Sequence, residues 1–362
     1  MKCCNHAKCN GCGVILSNNR NDVGSIKKND INNFKYCQRC FKINHYSKLD
    51  NPSTSLTEID NNFNKIKYDE QTIIFHVLDI LNLDDSIIPS FLTYQDRLYF
   101  IVNKVDCLPK SYNATVTHHL IEKTLSDFGF QNLKIIYTSV QFKETIKRLN
   151  ASINNLKKNC KKIIFVGKSN VGKSSLINAL LSLNNQKGLL TVSPFINTTI
   201  DLVNIKLNNI SIIDTPGQLC TNNICNFLAS EDAKKIVNNK NLKAINFYIN
   251  VNNALVVDKL CAISYISGTK KASITCYFSN YLKICKIKVE NIDRNLKSIN
   301  NKISYLKDNE EFDEYTFNLT ETKKHNISIS GLGLISCSKG MKMIKINIKK
   351  GIGVKKNLYA II

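Results

Sequence analysis

The 362-residue sequence contains no run of about 18 uninterrupted apolar residues, the length a membrane-spanning helix needs. Its most hydrophobic stretches, such as Ile73 to Leu83, are broken by polar groups, there His76 and Asp79. A spanning helix is therefore excluded, and no membrane is expected. The opening MKCCNHAKCNGCG has neither the apolar core of a secretory signal nor the acid-poor amphipathic helix of a transit peptide. No internal repeat is evident either. These absences lead to the expectation of a cytosolic protein. Acid is scarce as well: 28 Asp and Glu face 50 Lys and Arg, leaving a net charge of +22. Such a surplus repels itself unless an anion such as nucleic acid or an acidic membrane is nearby, so a polyanionic partner is the expectation. An Asn-, Ile- and Lys-rich genome bias would raise lysine without any binding role, and both causes can act together.

What is present fits a folded chain. With 43% apolar residues, the sequence is long enough for two to three domains around real cores. Fourteen cysteines could suggest a disulfide scaffold, but the chain is long, lacks a secretion signal and clusters its patterned cysteines at metal spacing. Three textures divide the chain: a Cys-rich part over 1–53, an α/β part over 54–235 and a strand-rich basic part over 236–362. In the middle part, Ile73 to Leu78, Leu98 to Val102 and Ile163 to Val166 each end at polar or glycine residues, as buried parallel strands do. Helical patterns separate them, which predicts an α/β sheet. Ile200 to Asp214 predicts a hairpin turning at Asn208 and Asn209.

GKSNVGKS, Gly167 to Ser174, follows the strand KKIIFV and precedes the helical run SSLINALL, the context that a phosphate loop requires. Backbone amides across Gly167, Lys168, Ser169, Asn170, Val171 and Gly172, with Ser175 behind them, would cradle phosphate oxygens at a helix N-terminus. Lys173 would bridge the β- and γ-phosphates, and Ser174 would ligate magnesium. Asp214 opens DTPG at the end of ISIID, where its carboxylate can hold magnesium through water and Gly217 can offer an amide to the γ-phosphate. Asn103, Lys104 and Asp106 form NKVD after LYFIV. A carboxylate there accepts from the guanine ring N–H and exocyclic amine, a pair adenine lacks, so GTP and GDP are favoured over ATP. NKVD precedes the phosphate loop, the reverse of the Ras-like order, which predicts a circularly permuted P-loop GTPase domain.

Cys9 and Cys12 in CNGC, with Cys37 and Cys40 in CQRC, make two matching knuckles whose four thiolates suit a structural tetrahedral zinc. Cys3, Cys4, His6 and His45 lie near enough to compete and are read as non-ligands. In the tail, Ile344, Ile346 and Ile348 alternate with Lys345, Asn347 and Lys349, a strand with one apolar and one basic face. That basic face could meet RNA phosphates or simply be solvated. Tyr277 and Phe278 could stack bases or fill a core.

Together, CNGCG, YCQRCFKINHY, NKVDCLPKS, GKSNVGKSSLINAL, TTID, DTPG and ISISGLGLI resemble the YqeH-type ribosome-assembly GTPases, in that family's order and over nearly the whole chain. The resemblance implies a treble-clef-like zinc finger, a permuted GTPase domain and a strand-rich α+β C-terminal domain that binds RNA. It implies that Thr138 and Ser139 of YTSV touch the base, and that Asn170 helps hold potassium beside the phosphates. It also implies that Thr198 and Thr199 are switch threonines, one reaching magnesium, although Ile196 and Asn197 replace the usual Pro-Gly before them. Gln218 stands where Ras-like enzymes carry a water-orienting glutamine. The implied partner is the small ribosomal subunit or its precursor rRNA, in a bacterial cytoplasm, with no DNA and a monomeric chain expected. The competing expectation is an RNA-binding scaffold with vestigial GTP turnover; intact Lys173, Ser174 and Asp214 argue for the enzyme.

Overall fold

The computed structural model describes residues 7–19, 22–26, 35–46, 68–108, 112–186, 190–191, 201–218, 220–236, 244–297 and 311–360. By compactness the chain forms two units. The first takes the described residues up to Ile80, then Ser86–Val105 and Gly129–Cys220. The second takes Leu81–Asp85, Asp106–Phe128 and the chain from Thr221 onward. Among the described residues, no helix is long and apolar enough to cross a membrane.

Among its described residues the first unit is built on six strands: β1 (Thr72–Asp79), β2 (Leu98–Asn103), β3 (Ile135–Tyr137), β4 (Lys162–Val166), β5 (Val203–Leu207) and β6 (Ile210–Asp214). Their order is β3-β2-β1-β4-β6-β5, with every neighbouring pair parallel except β5 with β6. In β4, Ile163, Ile164, Phe165 and Val166 are all 0% exposed, so this central strand is covered on both faces, as continuous apolar runs in parallel sheets are. The rings of Phe75 and Phe165 meet edge to face across the β1–β4 pair, 5.2 Å apart. Helix Lys143–Leu156 contributes Ile146, Leu149 and Ile153, one stripe at helical spacing, to the same core as Leu176, Ile177 and Leu180 of helix Lys173–Leu183. The β5–β6 hairpin turns at Asn208 (φ 48) and Asn209 (φ 69), the two left-handed residues that a tight hairpin needs. Ahead of the sheet, the pairings Lys8 with Ile15 and Ser17 with Ser25 and the helix Gln38–Tyr46 surround a small core of Cys9, Cys12, Cys37, Cys40, Leu16 and Ile26.

Among its described residues the second unit carries ten strands: β7 (Ile245–Asn250), β8 (Asn253–Val257), β9 (Cys261–Gly268), β10 (Lys271–Phe278), β11 (Ile284–Lys288), β12 (Phe312–Asn318), β13 (His325–Ile329), β14 (Gly333–Cys337), β15 (Met341–Lys349) and β16 (Val354–Lys356). They form two five-stranded antiparallel sheets, β16-β13-β14-β10-β7 and β11-β8-β9-β15-β12. The alternation along β15 is borne out: Ile344, Ile346 and Ile348 are fully buried while Lys345, Asn347 and Lys349 are half-buried. The basic side is less open than the sequence suggests, because Lys345 pairs with Glu314 of β12 at 2.9 Å. Helix Ile292–Lys297 covers Ala254, Val256 and Ala262 of the second sheet. Tyr277 and Phe278, 5% and 2% exposed, belong to the core and are not available for base stacking. Helix Ala114–Asp127, capped by the Asn113 side chain, is tied to the end of the chain by the Tyr359 hydroxyl, which donates to Asp127 at 2.5 Å.

Candidate functional site

In an open, mostly parallel sheet, ligands gather beyond the carboxyl ends of the strands. Here β4 delivers the loop that begins at Gly167, and helix Lys173–Leu183 starts directly after it. Gly172 has φ 101, and a Cβ there would lie 2.4 Å from the Asn103 side-chain nitrogen, so any other residue would be strained and would displace Asn103. Lys173, 6% exposed, donates from Nζ to the carbonyls of Gly167 (3.0 Å) and Lys168 (3.1 Å). Burial pushes its ammonium pKa down to about 8, while the Asp214 carboxylate pulls it upward. The Ser174 hydroxyl donates to Asp214 Oδ2 at 2.6 Å, which brings together the two oxygen donors expected at magnesium. Asp214 is fully buried at the end of β6, and Thr215 behind it donates to the Phe165 carbonyl at 2.8 Å, pinning DTPG to the central strand. The phosphate loop and the segment after DTPG are zipped together. Gln218 N donates to Gly167 O at 3.2 Å, Ser169 N to Gln218 O at 2.9 Å, and Ser169 Oγ reaches the Gly217 carbonyl at 3.4 Å.

The base-recognition residues close the other side. Asn103, 3% exposed at the end of β2, donates from Nδ2 to the Val171 carbonyl at 2.8 Å and accepts from Thr138 Oγ1 at 3.2 Å. One side chain thus joins NKVD, the phosphate loop and YTSV. Val105 N donates to Thr138 O at 3.3 Å, and the buried Ser139 is held by Thr145 Oγ1, which accepts from its amide at 2.9 Å. Lys104 adopts φ 66 and forms a 2.7 Å ion pair with Asp79 at the end of β1. Asp106 is buried on the short turn Val105–Cys107. Asn170 has φ 63, Val171 is buried, and Lys168, Ser169 and Ser175 are half-buried. Thr198 and Thr199 lie outside the described residues. Asp79, Thr145 and Thr215 are the partners that sequence reasoning missed. A lone acid closing a buried strand was the signal available for Asp79; nothing local marked the two threonines.

The four knuckle cysteines are all buried, and their ligand atoms lie within 4.8 Å of one another. Cys9 Sγ accepts from Cys37 N at 3.2 Å and Cys37 Sγ from Cys40 N at 3.4 Å, contacts that orient sulfur inward. Hydrogen bonding from Cys12 pulls Cys9 and Cys37 below the ordinary thiol range. Four converging, buried sulfurs can hold a tetrahedral zinc, which would take them as thiolates. The side chain of His45 and all of Cys3, Cys4 and His6 lie outside the description.

Comparison with known proteins points the same way. A family model described as RsgA GTPase matches residues 70–220, and one described as 50S ribosome-binding GTPase matches residues 162–305. The chain is 27% identical to YqeH of Bacillus subtilis (strain 168), a protein called uncharacterized, over 96% of this chain and 97% of that one. It is 31% identical to GTPase Der of Aquifex aeolicus (strain VF5) over 37% of this chain and 31% of that protein. Over 45% of this chain and 38% of the relative, it is 35% identical to the tRNA modification GTPase MnmE of Mesoplasma florum.

Proposed function

The chain belongs to the circularly permuted GTPases of the YqeH type, and from that premise we propose that it is an assembly factor for the small ribosomal subunit. Its nucleotide state would control binding to, and release from, pre-ribosomal RNA. Hydrolysis of GTP follows from family membership. The observation that carries the nucleotide part is Asn103, whose hydrogen bonds to Val171 O and Thr138 Oγ1 gather three motifs separated in sequence. The net charge of +22 supports an anionic partner.

Phosphate binding redirects the Lys173 ammonium from loop carbonyls 3.0 and 3.1 Å away to the β- and γ-phosphates, where it offsets charge. Ser174 and Asp214 would hold magnesium, which would supply neutralisation of phosphate charge when bound. The Gly217 amide would serve the γ-phosphate, Asn170 would help to hold potassium, and one of Thr198 and Thr199 would reach magnesium. Gln218 orients the attacking water, so Gln218→Ala slows turnover while sparing GTP affinity; unchanged turnover rejects that role. Asp106, with Thr138 and Ser139, reads guanine. Cys9, Cys12, Cys37 and Cys40 hold zinc in a structural finger over 1–53, followed by the GTPase part over 54–235 and an RNA-binding part over 236–362. The setting is the bacterial cytoplasm.

The test is hydrolysis of GTP and ATP in potassium and in sodium buffers, with small subunits, large subunits or neither. GTP-selective, potassium-dependent turnover raised by small subunits supports the proposal. The match to a model described as 50S ribosome-binding gives a second reading, in which large subunits stimulate instead. Binding of subunits with turnover at background would favour the scaffold.

A further inference from the structure

The sheet β16-β13-β14-β10-β7 ends at an edge strand whose two faces differ in chemistry. Side chains alternate along a strand, and residues directly opposite each other in a ladder share a face. The register therefore puts Asn246, Tyr248 and Asn250 of β7 beside Thr275, Ser273 and Lys271 of β10 on one side. The other side holds Ile249, Ala272, Ile274 and Cys276, all buried. On the polar side Asn246, Tyr248, Asn250 and Lys271 are exposed, and Thr275 Oγ1 donates to Asn246 Oδ1 at 3.2 Å. Tyr248 is 73% exposed, more than any other large apolar or aromatic side chain among the described residues.

A single exposed ring is ordinary on a protein surface. The surroundings of this one are not. Its neighbours on the face are amides, hydroxyls and an ammonium, groups that bond to bases, riboses and phosphates. The open edge beside it is a poor template for a further strand: Lys286 of β11 donates from Nζ to the Tyr248 carbonyl at 3.2 Å, and a lysine across an edge hinders strand addition. Charge selects an anion. From 245 to 288 the chain carries six lysines against one acid, Asp258, whose carboxylate already accepts from Lys283 N at 3.0 Å. We propose that Tyr248 is a stacking platform for one base of a single-stranded RNA, with Lys271 and Lys286 serving the flanking phosphates. A duplex fits poorly, since its bases are stacked on one another and only an unpaired base can leave its neighbours for the ring. Tyr277 and Phe278 belong to the core, so the ring at the edge takes the part that sequence assigned to them. This placement rests on the reading of 236–362 as RNA-binding.

The full chain contains no tryptophan, so Tyr248→Trp introduces a single emitter at the proposed contact. The variant is titrated with a dye-labelled single-stranded RNA roughly twelve nucleotides long, the dye's anisotropy reporting binding and the indole emission reporting stacking. Quenching with the same midpoint as the anisotropy is expected. Binding without quenching overturns the stacking and leaves RNA binding in place, whereas a parent chain that fails to bind the strand sinks both readings. Equal quenching by the same strand held in a duplex overturns the choice of a single strand. In a second series, Tyr248→Ala should weaken binding at least about fivefold and Tyr248→Phe by less than about twofold, with the salt slope unchanged because the ring is neutral. Lys271→Ala should lower that slope by about 0.7. GTP turnover without RNA stays at the parent value in all of these variants. Equal RNA affinity of Tyr248→Ala and the parent removes the ring from the interface and overturns the proposal.

Discussion

The two units are both rich in strands, yet they bury polar groups differently. In the first unit, Asp79, Asn103, Thr138, Lys173 and Asp214 are buried at or just beyond the carboxyl ends of parallel strands, and each is held by a hydrogen bond or ion pair: Asp79 to Lys104, Asn103 to Thr138 and Val171, Lys173 to loop carbonyls and Asp214 to Ser174. In the second, buried polar groups such as Ser264, His325 and Asn326 sit within antiparallel strands, the buried carboxylates Asp84, Asp106 and Asp232 lie on short helical segments away from those sheets' strands, and surface charges pair as Lys350 does with Glu311. A parallel sheet points every strand end the same way and so concentrates desolvated charge at one edge, where it can act on a ligand. Antiparallel sheets alternate their ends and offer a face.

The sharpest test of that difference is Lys173→Ala, which removes the ammonium from the first unit's cluster. Turnover of GTP is expected to fall about 100- to 1,000-fold, as losses of a single preorganised donor do. Hydrogen exchange across β8, β9 and β15 should stay unchanged; a coincident loss of protection there would break the contrast between the units. Next in size is acid sensitivity. His76 is fully buried between the rings of Phe91 and Phe100, and burial lowers its pKa to about 3. The folded chain keeps the ring neutral while the unfolded chain takes up a proton below its ordinary value near 6.5, so stability is full above that value and declines as pH falls toward about 3. Between pH 6.5 and 5 the loss should be roughly 2 kcal/mol. His76→Phe should flatten this part of the Tm profile, and a profile as steep as that of the parent would assign the acid sensitivity elsewhere.

How much was legible in the sequence follows from the range of the interactions. The phosphate loop, NKVD, DTPG and the two knuckles are local patterns whose chemistry is set by neighbours a few residues away. The strands β1, β2 and β4 announced themselves through continuous apolar runs, and the paired asparagines marked the hairpin turn. Partnerships across long separations left no such trace. Nothing near Lys104 names Asp79, and nothing in CNGC indicates that its carbonyls meet Thr191 and Asp201. The grouping of 81–85 and 106–128 with the second unit is of the same kind, since compactness is decided by packing rather than by the order of the chain. The charge on β15 was read correctly as an alternation and incompletely as a surface, because the acid that meets Lys345 comes from β12, about thirty residues earlier.

A smaller effect probes the second unit's core. Ile346 is fully buried opposite Ile263 on β9 and Tyr315 on β12. Ile346→Val should cost about 1 kcal/mol by chemical denaturation, with GTP turnover within twofold of the parent. A large loss of turnover would mean that the face and the site are energetically one object.

The smallest expected effect is the most informative about RNA. If β15 presents a free basic face, Lys345→Ala should weaken binding to a structured RNA and lower the salt slope by about one counterion. The 2.9 Å pair with Glu314 argues otherwise. The hydrogen bond from Lys345 lowers the Glu314 carboxyl pKa from its ordinary value, so the lysine's charge is already met within the sheet. Lys345→Ala should therefore change stability by no more than about 0.5 kcal/mol and leave the salt slope alone. Glu314→Gln should instead raise RNA affinity, because it removes a negative charge and frees the lysine together. Should Lys345→Ala weaken RNA binding severalfold at low salt, the lysine must leave its partner for phosphate, and the second unit would then hold charge in reserve for its ligand much as Lys173 does in the first.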